Sequence, residues 1–134
     1  MNYLSLTIVC PDGEIFSGEA KSILVTTETG EIQIMRGHAD LFAPLGTGRA
    51  KLVLTDGTER TASASGGFIL VSGGEAKVVA TTFEFSDSID LARAQLAKER
   101  AEERLKNAKT NKEIAIAKAK LLRAINRINV ASAK

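Results

Sequence analysis

The sequence predicts an α+β protein: an N-terminal antiparallel β-sandwich over residues 1–85 followed by a C-terminal antiparallel two-helix hairpin over 86–134. Two observations carry this. Through about Phe85 the chain is a series of short β-rich runs punctuated by glycine, the pattern of a sandwich or barrel. Beyond Phe85 there is no glycine or proline, and Ala, Lys, Arg, Glu and Leu dominate, all strong helix formers.

In the first segment Leu4, Leu6 and Ile8 alternate with Ser5 and Thr7, a half-buried strand with one apolar face. Further runs read as strands at Ser22 to Thr27, Arg49 to Thr55, Phe68 to Val71 and Ala76 to Thr82. Turns are predicted at Pro11-Asp12-Gly13, at Asp56-Gly57, which suits a tight hairpin, and at Gly73-Gly74, because glycine accepts positive φ.

In the second segment the apolar period becomes about 3.6. Ser86, Asp87 or Ser88 is the expected cap of a first helix. Its stripe is Ala94, Ala97, Ala101, Leu105 and Ala108, and it ends near Lys106. Asn107 to Asn111 reads as a connector. A second stripe of Ile114, Ala117, Leu121, Ala124, Ile128 and Ala131 follows at spacings of three and four. Seams this rich in alanine allow close approach yet bury little apolar area, so the hairpin is expected to be weakly self-stabilised and able to open.

At 134 residues the chain is long enough for one well-buried domain and an appendage. No apolar run approaches the roughly 20 residues that span a bilayer, and Met1-Asn2-Tyr3 does not open a signal peptide. Direct membrane insertion is not expected. The single cysteine, Cys10, cannot form an internal disulfide, which fits a reducing cytoplasm; beside Val9 it reads as a small core or edge residue rather than a reactive thiol.

The net charge of +2 conceals two halves of opposite sign. Residues 1–85 hold 6 basic and 10 acidic side chains, net −4, and residues 86–134 hold 12 basic and 6 acidic, net +6. A basic arm on an acidic body suggests an anionic partner, though a solvated helix face accounts for the charge equally well. Nucleic acid is disfavoured, because aromatics make up only 4% of the chain and none lies in the basic segment to stack on bases. No glycine-rich phosphate loop with lysine, no metal-ligand cluster and no nucleophile paired with the only histidine, His38, is present, so neither catalysis nor a catalytic cofactor is expected.

Several blocks stand in a particular order: Phe16-Ser17-Gly18, Gly30-Glu31-Ile32, Gly37-His38-Ala39, Ser65-Gly66-Gly67-Phe68, and Ile89-Asp90-Leu91-Ala92-Arg93-Ala94. In these blocks, and in the order of sandwich and hairpin, the whole chain resembles the epsilon subunits of bacterial F-type ATP synthases. Arg36 and Asp40 depart from the pattern, standing where that family often has proline. The resemblance implies a non-catalytic rotor subunit of the central stalk, peripheral on the cytoplasmic face of the bacterial membrane. Its sandwich would dock on the gamma subunit and touch the membrane ring of c subunits. Its hairpin would reach the catalytic alpha and beta subunits and inhibit ATP hydrolysis. By position, Glu31 is a candidate ring contact, with a solvated surface carboxylate the alternative. His38 is read as an interface contact rather than a titrating switch.

The Ile89–Ala94 block further resembles the ATP-binding motif of epsilon subunits that hold nucleotide. The residues it implies are Glu84, Ile89, Asp90, Arg93, Ala94, Arg100, Arg123 and Arg127, with ATP as a regulatory ligand. Spacing agrees in part. Asp90 and Arg93 share a helix face, as do Arg93 and Arg100, and Arg123 and Arg127. If the hairpin turns near Lys109, Arg93 falls level with the stretch between Arg123 and Arg127, and Arg100 lies about 10 Å further along. Guanidiniums converging there repel one another unless an anion such as a triphosphate bridges them. Pairing of the same arginines with Glu99, Glu102 and Glu103 on a solvated face is the alternative. A function of another class also stays open: a free-standing nucleotide sensor acting on a different partner.

Overall fold

A computed structural model describes residues 3–133. The chain divides into two compact units, Met1–Phe85 and Ser86–Lys134. The first is a sandwich of nine strands: β1 (Leu4–Cys10), β2 (Gly13–Thr27), β3 (Gly30–Met35), β4 (Leu41–Pro44), β5 (Gly48–Leu54), β6 (Glu59–Ser65), β7 (Phe68–Ser72), β8 (Glu75–Val79) and β9 (Thr82–Phe85). The second holds α1 (Leu91–Asn107) and α2 (Asn111–Ser132). The predicted class, a sandwich followed by two helices, is the one observed.

The strand order is β4-β7-β8-β1-β2-β5-β6-β9, with β3 added beside β2. All pairs are antiparallel except one: β1 runs parallel to β8, with Leu6 beside Ala76 and Ile8 beside Val78. The sandwich is antiparallel as expected, apart from that one pair. Parallel neighbours need a long crossover, and here the crossover is most of the domain, so no local pattern could announce it. The 15-residue β2 serves two sets of partners. Its first part pairs with β1 and its second with β3 and β5, and the β5 register shifts between Ala20 and Ser22. Such a shift bends a strand, which lets one strand contribute to both layers.

The core is aliphatic. Leu4, Leu6 and Ile8 are buried as their alternation requires, and Ile23, Val25, Ile34, Leu52, Ile69, Val71 and Val78 join them. Apolar burial on this scale, about 25 cal/mol per Å², is the main term holding such a domain together. The run predicted through Ala76 to Thr82 is interrupted: Ala80 and Thr81 leave the ladder, where the Ala80 amide donates to the Val9 carbonyl at 3.0 Å. The Ser65-Gly66-Gly67-Phe68 block crosses from β6 to β7 against that break. Gly67 has φ +89°, and a Cβ there would overlap the Val79 carbonyl.

In the second unit the predicted caps are corrected. Ser86–Ser88 forms a short 3₁₀ turn, and the N-cap of α1 is Asp90, whose carboxylate accepts from the Arg93 amide at 3.1 Å. Any of Ser86, Asp87, Ser88 and Asp90 has cap chemistry, and the 3₁₀ turn uses up the first three. Thr110 caps α2, accepting from the Glu113 amide at 3.1 Å while its hydroxyl donates to the Glu113 carboxylate at 3.1 Å. This reciprocal use of the first turn stabilises a helix start. The two helices pack on each other. Ala94, Ala101, Ala117 and Ala124 are buried, and Ala94 and Ala124, like Ala101 and Ala117, stand equally far in sequence from Lys109. The alanine seam is therefore in register.

Candidate functional site

Three surfaces carry the chemistry. The first is at the β2–β3 end of the sandwich, where Thr26 pairs with Glu31. Ile32 and Ile34 turn inward, leaving Glu31 exposed on the outer face. The Arg49 guanidinium, from β5, forks onto it, with Nε donating to Oε2 at 2.7 Å and Nη2 to Oε1 at 3.2 Å. Those hydrogen bonds hold the Glu31 carboxyl below the ordinary carboxylate range and push the Arg49 guanidinium up. Arg49 was not foreseen as a site residue. Its partner lies two strands away, and only the sheet order brings them together. His38 is also exposed, in the loop after β3. Its amide donates to the Met35 carbonyl at 3.1 Å and its Nδ1 to the Ala39 carbonyl at 2.7 Å. Asp40, one of the departures from the family pattern, accepts from the Gly73 amide at 3.2 Å and so ties this loop to the β7–β8 turn.

The second surface is apolar. Phe42 on edge strand β4 is 63% exposed and stands directly opposite Leu70 of β7, which is 40% exposed. Its ring also lies 5.2 Å from that of Phe68. Exposed Phe42 and Leu70 with half-buried Phe68 thus form an apolar patch beside the sheet's β4 edge. Alternation in the short Leu41–Pro44 strand is too brief to reveal it from sequence.

The third surface is on the hairpin. Ile89 is half-buried, its amide donating to the Ser86 carbonyl at 3.4 Å. Asp90, Arg93 and Ala94 form the first turn of α1: Asp90 caps the Arg93 amide, and Ala94 donates to the Asp90 carbonyl at 3.0 Å. Ala94 is fully buried in the seam, so its part is to allow close helix approach rather than to present a side chain. Arg93 and Arg100 are exposed on α1, and Arg123 and Arg127 are half-buried on α2. Of the glutamates that the alternative reading would pair with arginine, Glu103 instead accepts from Asn107 Nδ2 at 3.4 Å. Glu84 belongs to the other unit, on β9 opposite Ser63.

Two domain families match in sequence, residues 3–86 to the beta-sandwich domain and 87–132 to the long alpha-helix domain of the ATP synthase Delta/Epsilon chain. An ATP synthase epsilon chain from Staphylococcus aureus is 40% identical over 135 aligned positions, covering 100% of both chains. The fold is shared with a chain of the Euglena gracilis mitochondrial ATP synthase, solved as OSCP/F1/c-ring, at TM-score 0.82 and 20% identity over 92% of this chain and 78% of that one. It is shared also with a chain of the Tetrahymena thermophila mitochondrial ATP synthase central stalk and c-ring, at TM-score 0.68 and 15% identity over 96% of each. Matched over nearly its whole length, sandwich and helix pair together, the chain falls in the class of non-catalytic ATP synthase subunits. The chain belongs to the ATP synthase epsilon chain family.

Proposed function

We propose that this chain works in the central stalk of a bacterial F-type ATP synthase, coupling ion translocation to ATP synthesis while restraining ATP hydrolysis. The sandwich docks on the gamma subunit through the Phe42–Leu70–Phe68 surface and meets the ring of c subunits near Glu31 and His38. Among the described residues no helix is long and apolar enough to cross a membrane, and these contacts hold the chain peripherally at the cytoplasmic face. The hairpin is a regulatory arm. ATP held by Asp90, Arg93, Arg100, Arg123 and Arg127, with Ile89 and Ala94 in the same motif, keeps it closed; without nucleotide it opens towards acidic surfaces of the catalytic alpha and beta subunits.

The observation that carries the regulatory reading is the seam of Ala94, Ala101, Ala117 and Ala124. Methyl groups bury little area, while the arginines on both helices bring like charges towards each other. Closure is then close to balanced, and a bound anion adds stability as RT ln(1 + [L]/Kd). Extended as one helix, residues 89–131 would reach about 65 Å at 1.5 Å per residue, twice the length of the closed pair. The test is deletion of residues 86–134 in the assembled enzyme. ATP hydrolysis at low ATP and low salt should rise with coupling retained; unchanged hydrolysis leaves the hairpin a passive element.

A further inference from the structure

The Arg49–Glu31 pair is more elaborate than a surface ion pair needs to be. Arg49 extends from β5 across β2 to β3, so its side chain ties three strands at one end of the sheet. Thr26, the β2 residue it passes, pairs with Glu31 on one side and donates through its hydroxyl to the Arg49 carbonyl at 2.9 Å on the other. Gly48 makes room for this: a Cβ at that position would overlap the Thr26 side chain. Four residues on three strands thus fix one fork. Yet Glu31 and Arg49 remain 43% and 48% exposed at their side chains, where an ion pair contributes little to stability. A fork held in one orientation on rigid strands is the arrangement that recognition rather than folding requires.

We infer that Arg49 is a positioning residue for docking: it fixes the Glu31 carboxylate so that the two side chains meet the partner as one unit. The inference rests on the proposed stalk docking and names the chemistry of that contact. In the fork the carboxylate is already neutralised, while Nη1 and part of Nη2 stay available as donors and each carboxylate oxygen keeps a free lone pair. The surface offered is therefore net neutral, with donor and acceptor side by side. It suits a polar protein segment carrying an acceptor and a donor in the same spacing, and it offers no net charge to attract a lone cation.

A double-mutant cycle on the full chain, bound to the ATP synthase complex depleted of it, tests this. Glu31→Gln and Arg49→Met should each weaken docking by on the order of tenfold, and the double variant no further than either alone. Arg49→Lys keeps the charge without the planar fork and should fail to restore affinity. Thermal melting of the free chains should differ little, which separates positioning from folding. Independent, additive losses, or full rescue by lysine, would overturn the positioning role while leaving stalk docking intact. A wild-type chain that does not bind the depleted complex would overturn the docking reading and the inference with it.

Discussion

Gly67 lies so close to the carbonyl of Val79 that not even a methyl group fits between them, and its φ of +89° is one that L side chains rarely adopt. The same glycine accepts at its carbonyl from the Leu45 amide at 2.9 Å. One residue thus joins the ends of β6 and β7 to the break between β8 and β9 and to the start of the β4–β5 connection. Gly67→Ala should destabilise the sandwich by about 3 kcal/mol or more. Gly73, also at positive φ but in open space, should lose only about 1 kcal/mol as alanine. Denaturant unfolding of the two variants measures the difference.

Residues 1–85 expressed alone should fold cooperatively, because every member of the core cluster lies between Leu4 and Phe85. Loss of tertiary near-ultraviolet dichroism in that fragment would contradict it.

Acid should expose the fork. The folded pKa of Glu31 is depressed chiefly by the Arg49 hydrogen bonds, so its contribution is present above the unfolded carboxylate pKa and is lost as pH falls through the folded value. The pair is exposed, which limits the effect to well under 1 kcal/mol. Wild type should therefore melt slightly above Arg49→Met at neutral pH, and the gap should close in acid. A gap that widens in acid would reverse the sign argued here.

Asp90 has two possible parts, and substitution can separate them. Asp90→Ala removes both the cap and the charge, and should cost the hairpin about 1 kcal/mol. Asp90→Asn keeps the cap and removes only the charge. If Asp90 also contacts ATP, calorimetry should show Asn weakening nucleotide binding while helicity by circular dichroism stays at the wild-type level.

Phe42→Asp should leave the free chain within about 0.5 kcal/mol of wild type and weaken assembly on the stalk by on the order of tenfold. Unchanged assembly would mean that the Phe42–Phe68 face is not the docking surface.

The fold class was legible because both periods are strong: Leu4, Leu6 and Ile8 alternate, and Ala94, Ala101, Ala117 and Ala124 recur at helical spacing. Less legible were β6 and β4. The Ala62-Ser63-Ala64-Ser65 stretch is buried throughout yet carries small residues of low β preference, and packing rather than propensity makes it a strand. The caps were ambiguous because four of the five residues from Ser86 to Asp90 share cap chemistry. Arg49 and the Phe42 face were out of reach for another reason: each depends on which strands become neighbours, and strand order is a property of the whole chain.

That order also bears on how the protein is made. β1 is translated first but lies in the middle of the sheet, between β2 and β8. Its β2 side can pair almost at once. Its β8 side stays open until Glu75–Val79 has left the ribosome, and β7 pairs into the sheet through β8. The nascent sandwich thus carries an unsatisfied inner edge for most of its synthesis. Closing so distant a pair is slow.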